Sequence, residues 1–329
     1  MSATVDLGAV TRFAFLTLPN YSMIALSAAV EALRMANYLA GPTYSWQIVT
    51  ADGAGVNASN GLSLGPTRSL REAAPFDAAL VCGGVDVRQA VDRATVEALR
   101  RLARSRVPLG SLCTGAFALA EAGLLDGYRC AVHWENLAAV REEFDRVEFT
   151  EDLFVVDRDR FTCTGGSAPL DMMARFIEAR LGADTVRRLS EQFVLDRLRG
   201  GAEPQHPAVP PSPRGHPALS EAAQLMRRTV DAPLAVQAVA NRVGLSVRQL
   251  ERLFRHHLGV GPAEFSMRLR LDHARELLRQ SDLAVTSIAV ACGFASPPHF
   301  SAAYRRRFGR APRAERAAPA AVRQPELAS

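Results

Sequence analysis

The sequence contains no lysine. Every basic contact must therefore come from a guanidinium, which grips a phosphate, a carboxylate or guanine through two parallel hydrogen bonds rather than as a point charge. A coding preference for arginine explains the absence equally well, so only the placement of the arginines is informative. Cysteine is sparse: Cys82, Cys113, Cys130, Cys163 and Cys292 are odd in number, scattered and never in C-x-x-C spacing. That pattern gives neither a disulfide framework nor a zinc site, and it suits a reducing compartment. No apolar run reaches the ~18 residues of a membrane span, and no basic stretch opens the chain. A cytoplasmic protein without membrane contact, metal or cofactor is the expectation.

What is present divides the chain. With 329 residues, 48% of them hydrophobic, and roughly 150 residues per domain as a prior, two or three domains are expected. The net charge of +5 is uneven: residues 1–199 hold 21 Arg against 24 acids (−3), and residues 200–329 hold 18 Arg against 10 acids (+8). Excess positive charge in the last third is what a protein that neutralises DNA phosphates needs.

Residues 12–199 alternate short apolar runs with helical patterns: 13–18 then 24–35, 46–51, 78–81 then 91–103, 107–112 then 114–125. Two further runs, 154–156 and 161–164, precede a helical stretch at 169–181. Such alternation predicts an α/β domain over 1–199, a flavodoxin-like parallel sheet sandwiched by helices. Gly200-Gly201-Ala202-Glu203-Pro204 and the prolines up to Pro217 predict a proline-stiffened linker over 200–217. Residues 218–316 look all-helical, and 317–329 a disordered tail.

Within the helical part the sequence repeats. Val236, Val239, Ala240 and Val243 recur 49 residues on as Val285, Ile288, Ala289 and Cys292. Leu250, Leu253, Phe254 and Leu258 recur 50 residues on as Phe300, Ala303, Tyr304 and Phe308. Between the two series stand Gly244-Leu245 and Gly293-Phe294. Each copy is helix, tight glycine turn, helix, so two helix-turn-helix units in tandem are predicted, an arrangement that reads DNA. In the first, Ser246 and Gln249 form a capping box, and Arg248, Gln249 and Arg252 are set to contact base edges. In the second, Ser296 caps, Pro297 takes the first helical position, and His299, Ser301, Arg305 and Arg306 are the contact candidates, with Arg307 beside them. Met267, Leu271, Ala274 and Leu278, with Phe265 and Leu269 on the far side, predict a spacer helix buried on both sides.

Ser111-Leu112-Cys113-Thr114-Gly115 lies where a strand runs into a helix, the setting of a nucleophile elbow, with the helix start expected to favour thiolate. His133 follows 20 residues on, so a Cys/His hydrolase is one reading.

Residues 218–316 resemble the AraC/XylS family of transcription activators. The resemblance is carried by Ala289-Val290-Ala291-Cys292-Gly293-Phe294-Ala295-Ser296, His299-Phe300-Ser301, Phe308-Gly309 and Pro312. Ala302 departs from it, standing where relatives often carry a base-facing arginine. Residues 12–199 resemble the PfpI-like, class I glutamine amidotransferase-like fold through Cys82-Gly83-Gly84, the Cys113 elbow, Ala131-Val132-His133-Trp134 and Thr164-Gly165-Gly166. Enzymes of that fold place an activating acid after the first strand, and this chain has Ala25 there. The resemblance therefore implies a sensor rather than an enzyme.

The whole chain is similar to GlxA-family regulators. That similarity implies an activator acting on promoter DNA with RNA polymerase as a homodimer. Its front domain binds a small nitrogenous effector, either an amino acid or a quaternary amine. Leu18-Pro19-Asn20-Tyr21 and residues 28–37 look like members that sense arginine, carnitine or glycine betaine. Ligands of such folds collect at the carboxyl edge of the strands, which makes Glu31, Cys113, His133, Trp134 and Asp171 the expected ligand contacts. An acid and aromatics (Tyr21, Trp134) suit a cationic amine. The alternative is a cysteine-dependent amidase or hydratase with an autoregulatory DNA-binding domain.

Overall fold

The computed structural model describes residues 4–65, 67–205, 216–281 and 283–316, and the chain divides into two compact domains after Gln205. The first opens with a 3-10 turn (Leu7–Ala9), β1 (Arg12–Thr17), α1 (Met23–Ala40), β2 (Ser45–Thr50), β3 (Thr67–Ser69) and β4 (Ala78–Cys82). There follow α2 (Val87–Ala90), α3 (Arg93–Arg104), β5 (Leu109–Leu112), α4 (Ala116–Glu121), β6 (Arg129–Ala131) and α5 (Trp134–Glu143). It closes with β7 (Glu148–Thr150), β8 (Phe154–Asp157), β9 (Arg160–Cys163), α6 (Ala168–Leu181) and α7 (Ala183–Gln192).

The seven-stranded sheet has the order β3-β2-β1-β4-β5-β9-β8. All its pairings are parallel except β8 against β9, and β6 and β7 form a separate parallel pair. The central strands are apolar without alternation because both faces are covered. Phe13 and Phe15 face a core with Leu33, Phe176 and Ile177 of α1 and α6. Ala14 and Leu16 face the other, with Leu99 of α3 and Phe117 and Leu119 of α4. The expected sandwich is therefore present. Successive strands run outward from β1 in one direction and from β4 in the other, so the topological switch lies between them. There the carboxyl ends leave a crevice.

Two boundaries differ from the sequence expectation. The helical pattern at 114–125 shortens to Ala116–Glu121: Gly115 before it is pressed against β4, where a β-carbon would stand 2.1 Å from the Val81 carbonyl oxygen, and Gly123 after it turns the chain with φ +70°. The composition break at 200 is not where the first domain ends. Leu153 N donates to the carbonyls of Gly201 (2.9 Å) and Glu203 (3.0 Å), and Gln205 N to Glu151 O (3.1 Å). Gly201 serves close approach rather than freedom, since a β-carbon on it would meet Phe154 O at 2.7 Å. Residues 206–215 of the expected linker and the tail at 317–329 lie outside the described residues.

The second domain is helical: α8 (Pro217–Arg228), α9 (Val236–Arg242), α10 (Val247–Leu258), α11 (Pro262–Gln280), α12 (Val285–Ala291), α13 (Pro297–Phe308) and α14 (Pro312–Arg316). The repeat is carried down to single hydrogen bonds. Leu245 N reaches Ala240 O at 2.9 Å after α9, and Phe294 N reaches Ala289 O at 2.9 Å after α12. Gly244 (φ +69°) and Gly293 (φ +70°) take the left-handed conformation that each turn demands. α11 is buried on two sides: Phe265 and Leu269 pack on Leu219, Leu250 and Phe254, while Leu271, Ala274, Leu277 and Leu278 are buried elsewhere along it.

Candidate nucleic-acid interface and sheet-edge site

α10 begins at a complete capping box. Ser246 Oγ accepts from Gln249 N (3.3 Å), and Gln249 Oε1 accepts from Ser246 N (2.9 Å). Leu250 and Phe254 are fully buried, which leaves Arg248, Gln249 and Arg252 exposed on the opposite face. The cap constrains one of these three. Reading adenine takes both ends of an amide, and the Gln249 oxygen is held by the cap, so its NH2 donors remain and its acceptor does not.

α13 is capped by Ser296, whose Oγ accepts from His299 N at 3.4 Å. Phe300, Ala303 and Tyr304 face inward, while His299, Ala302, Arg305 and Arg306 are exposed and Ser301 is half-buried. The His299 ring lies edge-on to Phe294, centroids 5.7 Å apart. Arg307 belongs to a different group from its neighbours: its guanidinium grips Asp272 of α11 through Nε (3.2 Å) and Nη2 (2.8 Å to each oxygen). It braces α13 rather than pointing a free cation outward beside Arg305 and Arg306.

Two further braces escaped the sequence. Arg270 of α11 donates to the carbonyls that end α12, Nε to Cys292 O and Nη2 to Gly293 O, both at 2.7 Å, and lies 4.1 Å over the Phe294 ring. Helix-end carbonyls lack intrahelical partners, and a guanidinium satisfies two at once. Glu315 of α14, with a fully buried side chain, accepts from Arg275 (3.0 Å) and Arg279 (2.8 Å). Burial alone would raise its pKa, but these hydrogen bonds more than offset that and hold it below the ordinary glutamate value.

At the sheet edge, Cys113 follows β5 with φ +59°, a left-handed conformation that only the surrounding bonds sustain. Its N–H donates to Thr164 O (3.3 Å), and its carbonyl accepts from His133 N (3.2 Å). Cys113 and His133 converge on Gly165, where a β-carbon would come 3.1 Å from Sγ and 2.6 Å from His133 Cδ2. Burial pushes the thiol up to about 11, the Thr114 amide and Ser22 hydroxyl pull the other way, and the Glu135 charge adds to the rise. The expectation that the helix start favours thiolate is thus overturned: desolvation wins, and the thiol is protonated at neutral pH. Ala25 is buried, and the polar contact to the thiol comes from Ser22 instead.

The other expected ligand contacts separate. Trp134 stands half-exposed beside His133, ring centroids 5.7 Å apart. Glu31 sits along α1 from the edge, with Arg34 Nε on its carboxylate at 2.7 Å. Asp171 is buried under Arg199, whose N (2.8 Å), Nε (3.0 Å) and Nη2 (2.6 Å) all donate to it. Asp171 is closed off by these bonds, whereas Glu31 is paired on its own helix with its side chain still partly exposed. An acid beside the cysteine and histidine that the sequence did not single out is Glu135, 3.9 Å from His133 Nδ1. Gln205 closes the picture. Its Nε2 donates to Val132 O (2.8 Å) and Asp152 O (3.2 Å), and its Oε1 accepts from Thr164 Oγ1 (2.5 Å).

Residues 13–179 match the DJ-1/PfpI family and residues 239–318 a helix-turn-helix domain family. The chain is 44% identical over 306 residues to the HTH-type transcriptional regulator GbdR of Pseudomonas aeruginosa (strain UCBPP-PA14), covering 92% of this chain and 83% of the relative. To the HTH-type transcriptional regulator GlxA of Rhizobium meliloti (strain 1021) it is 39% identical over 315 residues, covering 95% and 97%. The crystal structure of an AraC family transcriptional regulator from Pseudomonas putida superposes with a TM-score of 0.51 at 28% identity, over 56% of this chain and 99% of that one. These relatives are named as regulators, and no helix among the described residues is long and apolar enough to cross a membrane. Two architectures in one chain, a PfpI-like sheet with a protonated edge thiol and a doubled turn that presents arginines, thus have one explanation: the chain belongs to the GlxA-type HTH transcriptional regulators, in which a DJ-1/PfpI domain is joined to an AraC-type DNA-binding domain.

Proposed function

We propose that the protein is a cytoplasmic transcription activator. It binds promoter DNA through both helix-turn-helix units, dimerises through the first domain, responds there to a small nitrogenous metabolite, and engages RNA polymerase. The observation that carries the DNA reading is the doubled turn with exposed cations on each second helix: Arg248 and Arg252 on α10, Arg305 and Arg306 on α13. Both are tied to α11, whose 19 residues span about 28 Å at 1.5 Å per residue. Successive major grooves are about 34 Å apart, and α11 is proposed to space the two second helices for them. Ser246 and Ser296 position the two helix starts, with Gln249, His299 and Ser301 beside the arginines. Selection from a random duplex pool with the full chain, followed by footprinting, tests this. Protection confined to one major groove would overturn it.

For the effector, the sheet-edge group of Cys113, His133, Trp134 and Glu135 supports a cationic amine, since a half-exposed indole and a carboxylate attract positive charge. A thermal-shift screen of amines and amino acids tests this part. A ligand at 100 times its Kd adds about 2.7 kcal/mol, and the absence of any stabilising compound would remove the sensor.

A second reading, a cysteine-dependent amidase or hydratase, draws on the convergence of Cys113 and His133 on Gly165. With the thiol at about 11, alkylation by iodoacetamide should be slow at pH 7 and rise about tenfold per pH unit as the thiolate fraction grows. Rapid labelling at pH 7, with turnover lost in Cys113→Ala, would establish the enzyme instead.

A further inference from the structure

The two second helices occupy equivalent places in the repeat, so residues 50 apart present the same position to a bound duplex. Arg252 of α10 corresponds to Ala302 of α13, and Gln249 to His299. Ala302 is exposed, on the same face as His299 and Arg306 (i, i+3, i+7) and opposite the buried Phe300, Ala303 and Tyr304. An arginine reaches a base edge from a distance, whereas a methyl group reaches nothing unless the helix backbone lies against the groove floor. The side chains of α13 allow that: nothing bulkier than Ala302 stands between His299 and Arg306 on this face, and Arg307 is drawn back onto Asp272. The base feature that complements a side-chain methyl is the thymine C5-methyl, the one apolar group in the major groove.

We infer that Ala302 is a specificity-determining residue. It selects thymine at one position of the second half-site by methyl–methyl contact, with α13 seated deeper in its groove than α10. The inference rests on the DNA reading above. It gives the second unit a base-reading role by apolar contact.

The test uses the full-length protein and the site obtained by selection from a random duplex pool. Each thymine is replaced singly by deoxyuridine, which removes only the methyl group. In the second half-site, one replacement should weaken binding about fourfold, the worth of one buried methyl group, and 5-methylcytosine paired with guanine should retain part of the preference there. Ala302→Gly should abolish that uracil effect and leave uracil effects in the first half-site unchanged. Ala302→Arg, which favours the helix and keeps it folded, should move selection at that base pair from thymine to guanine. The proposal is overturned if no thymine of the second half-site shows methyl dependence, or if the dependence survives Ala302→Gly. If scrambling the whole second half-site costs nothing, the two-unit reading itself is what fails, and the proposal with it.

Discussion

The two helix-turn-helix units have the same turn and different supports. The first stands on its own sequence: Ser246 and Gln249 close the start of α10, and α8 and α11 supply the apolar floor. The second has its Ser296 cap but depends as well on arginine bonds between helices. Arg270 holds the end of α12, Arg307 ties α13 to Asp272, and Glu315 gathers Arg275 and Arg279 under α14. A unit held by local caps is insensitive to distant substitutions; a unit held by ion pairs is exposed to them, to pH and to salt.

The comparison breaks most sharply at Glu315. Glu315→Ala removes a buried carboxylate from beneath two arginines that keep a third and a half of their side chains exposed, so the loss falls short of a fully buried pair and should be about 2–3 kcal/mol. Contacts to the second half-site should vanish while those to the first persist, as footprinting would show. Uniform loss over both would mean that the units do not differ in support. Since the Glu315 pKa is depressed in the fold, its contribution is present above the unfolded carboxylate range and lost as pH falls through the folded value. Binding at the second half-site should therefore fail first on acidification.

Next in size is Arg252→Ala, which should cost about 1–3 kcal/mol of discrimination at one base pair of the first half-site with random-sequence affinity nearly kept. Ser246→Ala should cost about 1 kcal/mol of stability, visible in urea unfolding and confined to the first unit. The smallest effect belongs to Arg306→Ala: weaker binding to every sequence and a salt slope reduced by about 1. Equal loss on specific and random DNA for both Arg252→Ala and Arg306→Ala would remove the base-reading role of Arg252.

How much of this the sequence disclosed depended on how local each interaction is. The helical period and the Ser-x-x-Gln spacing span a few residues, so the doubled turn, the capping box and the two-sided α11 could be seen in advance. The sheet was visible because strands buried on both faces are continuously apolar. By contrast, Asp171 and Glu31 looked available as ligands because their partners do not announce themselves. Arg199 lies 28 residues from Asp171, and an i,i+3 pair such as Glu31–Arg34 is indistinguishable in sequence from two solvated charges. Glu315 was not singled out in the sequence at all, yet its side chain is fully buried. Gly200-Gly201 had the composition of a linker, yet Gly201 proved to sit at a close approach to the Phe154 backbone.

That misplaced boundary has a consequence. The residue from which the chain departs toward the DNA-binding domain, Gln205, is fastened to Val132 and Thr164. These are the immediate neighbours of His133 and Gly165, the two walls that meet at the Cys113 thiol. The point of departure and the sheet-edge site therefore share one backbone frame. Any displacement of the site walls is also a displacement of Gln205, the last residue of the first domain.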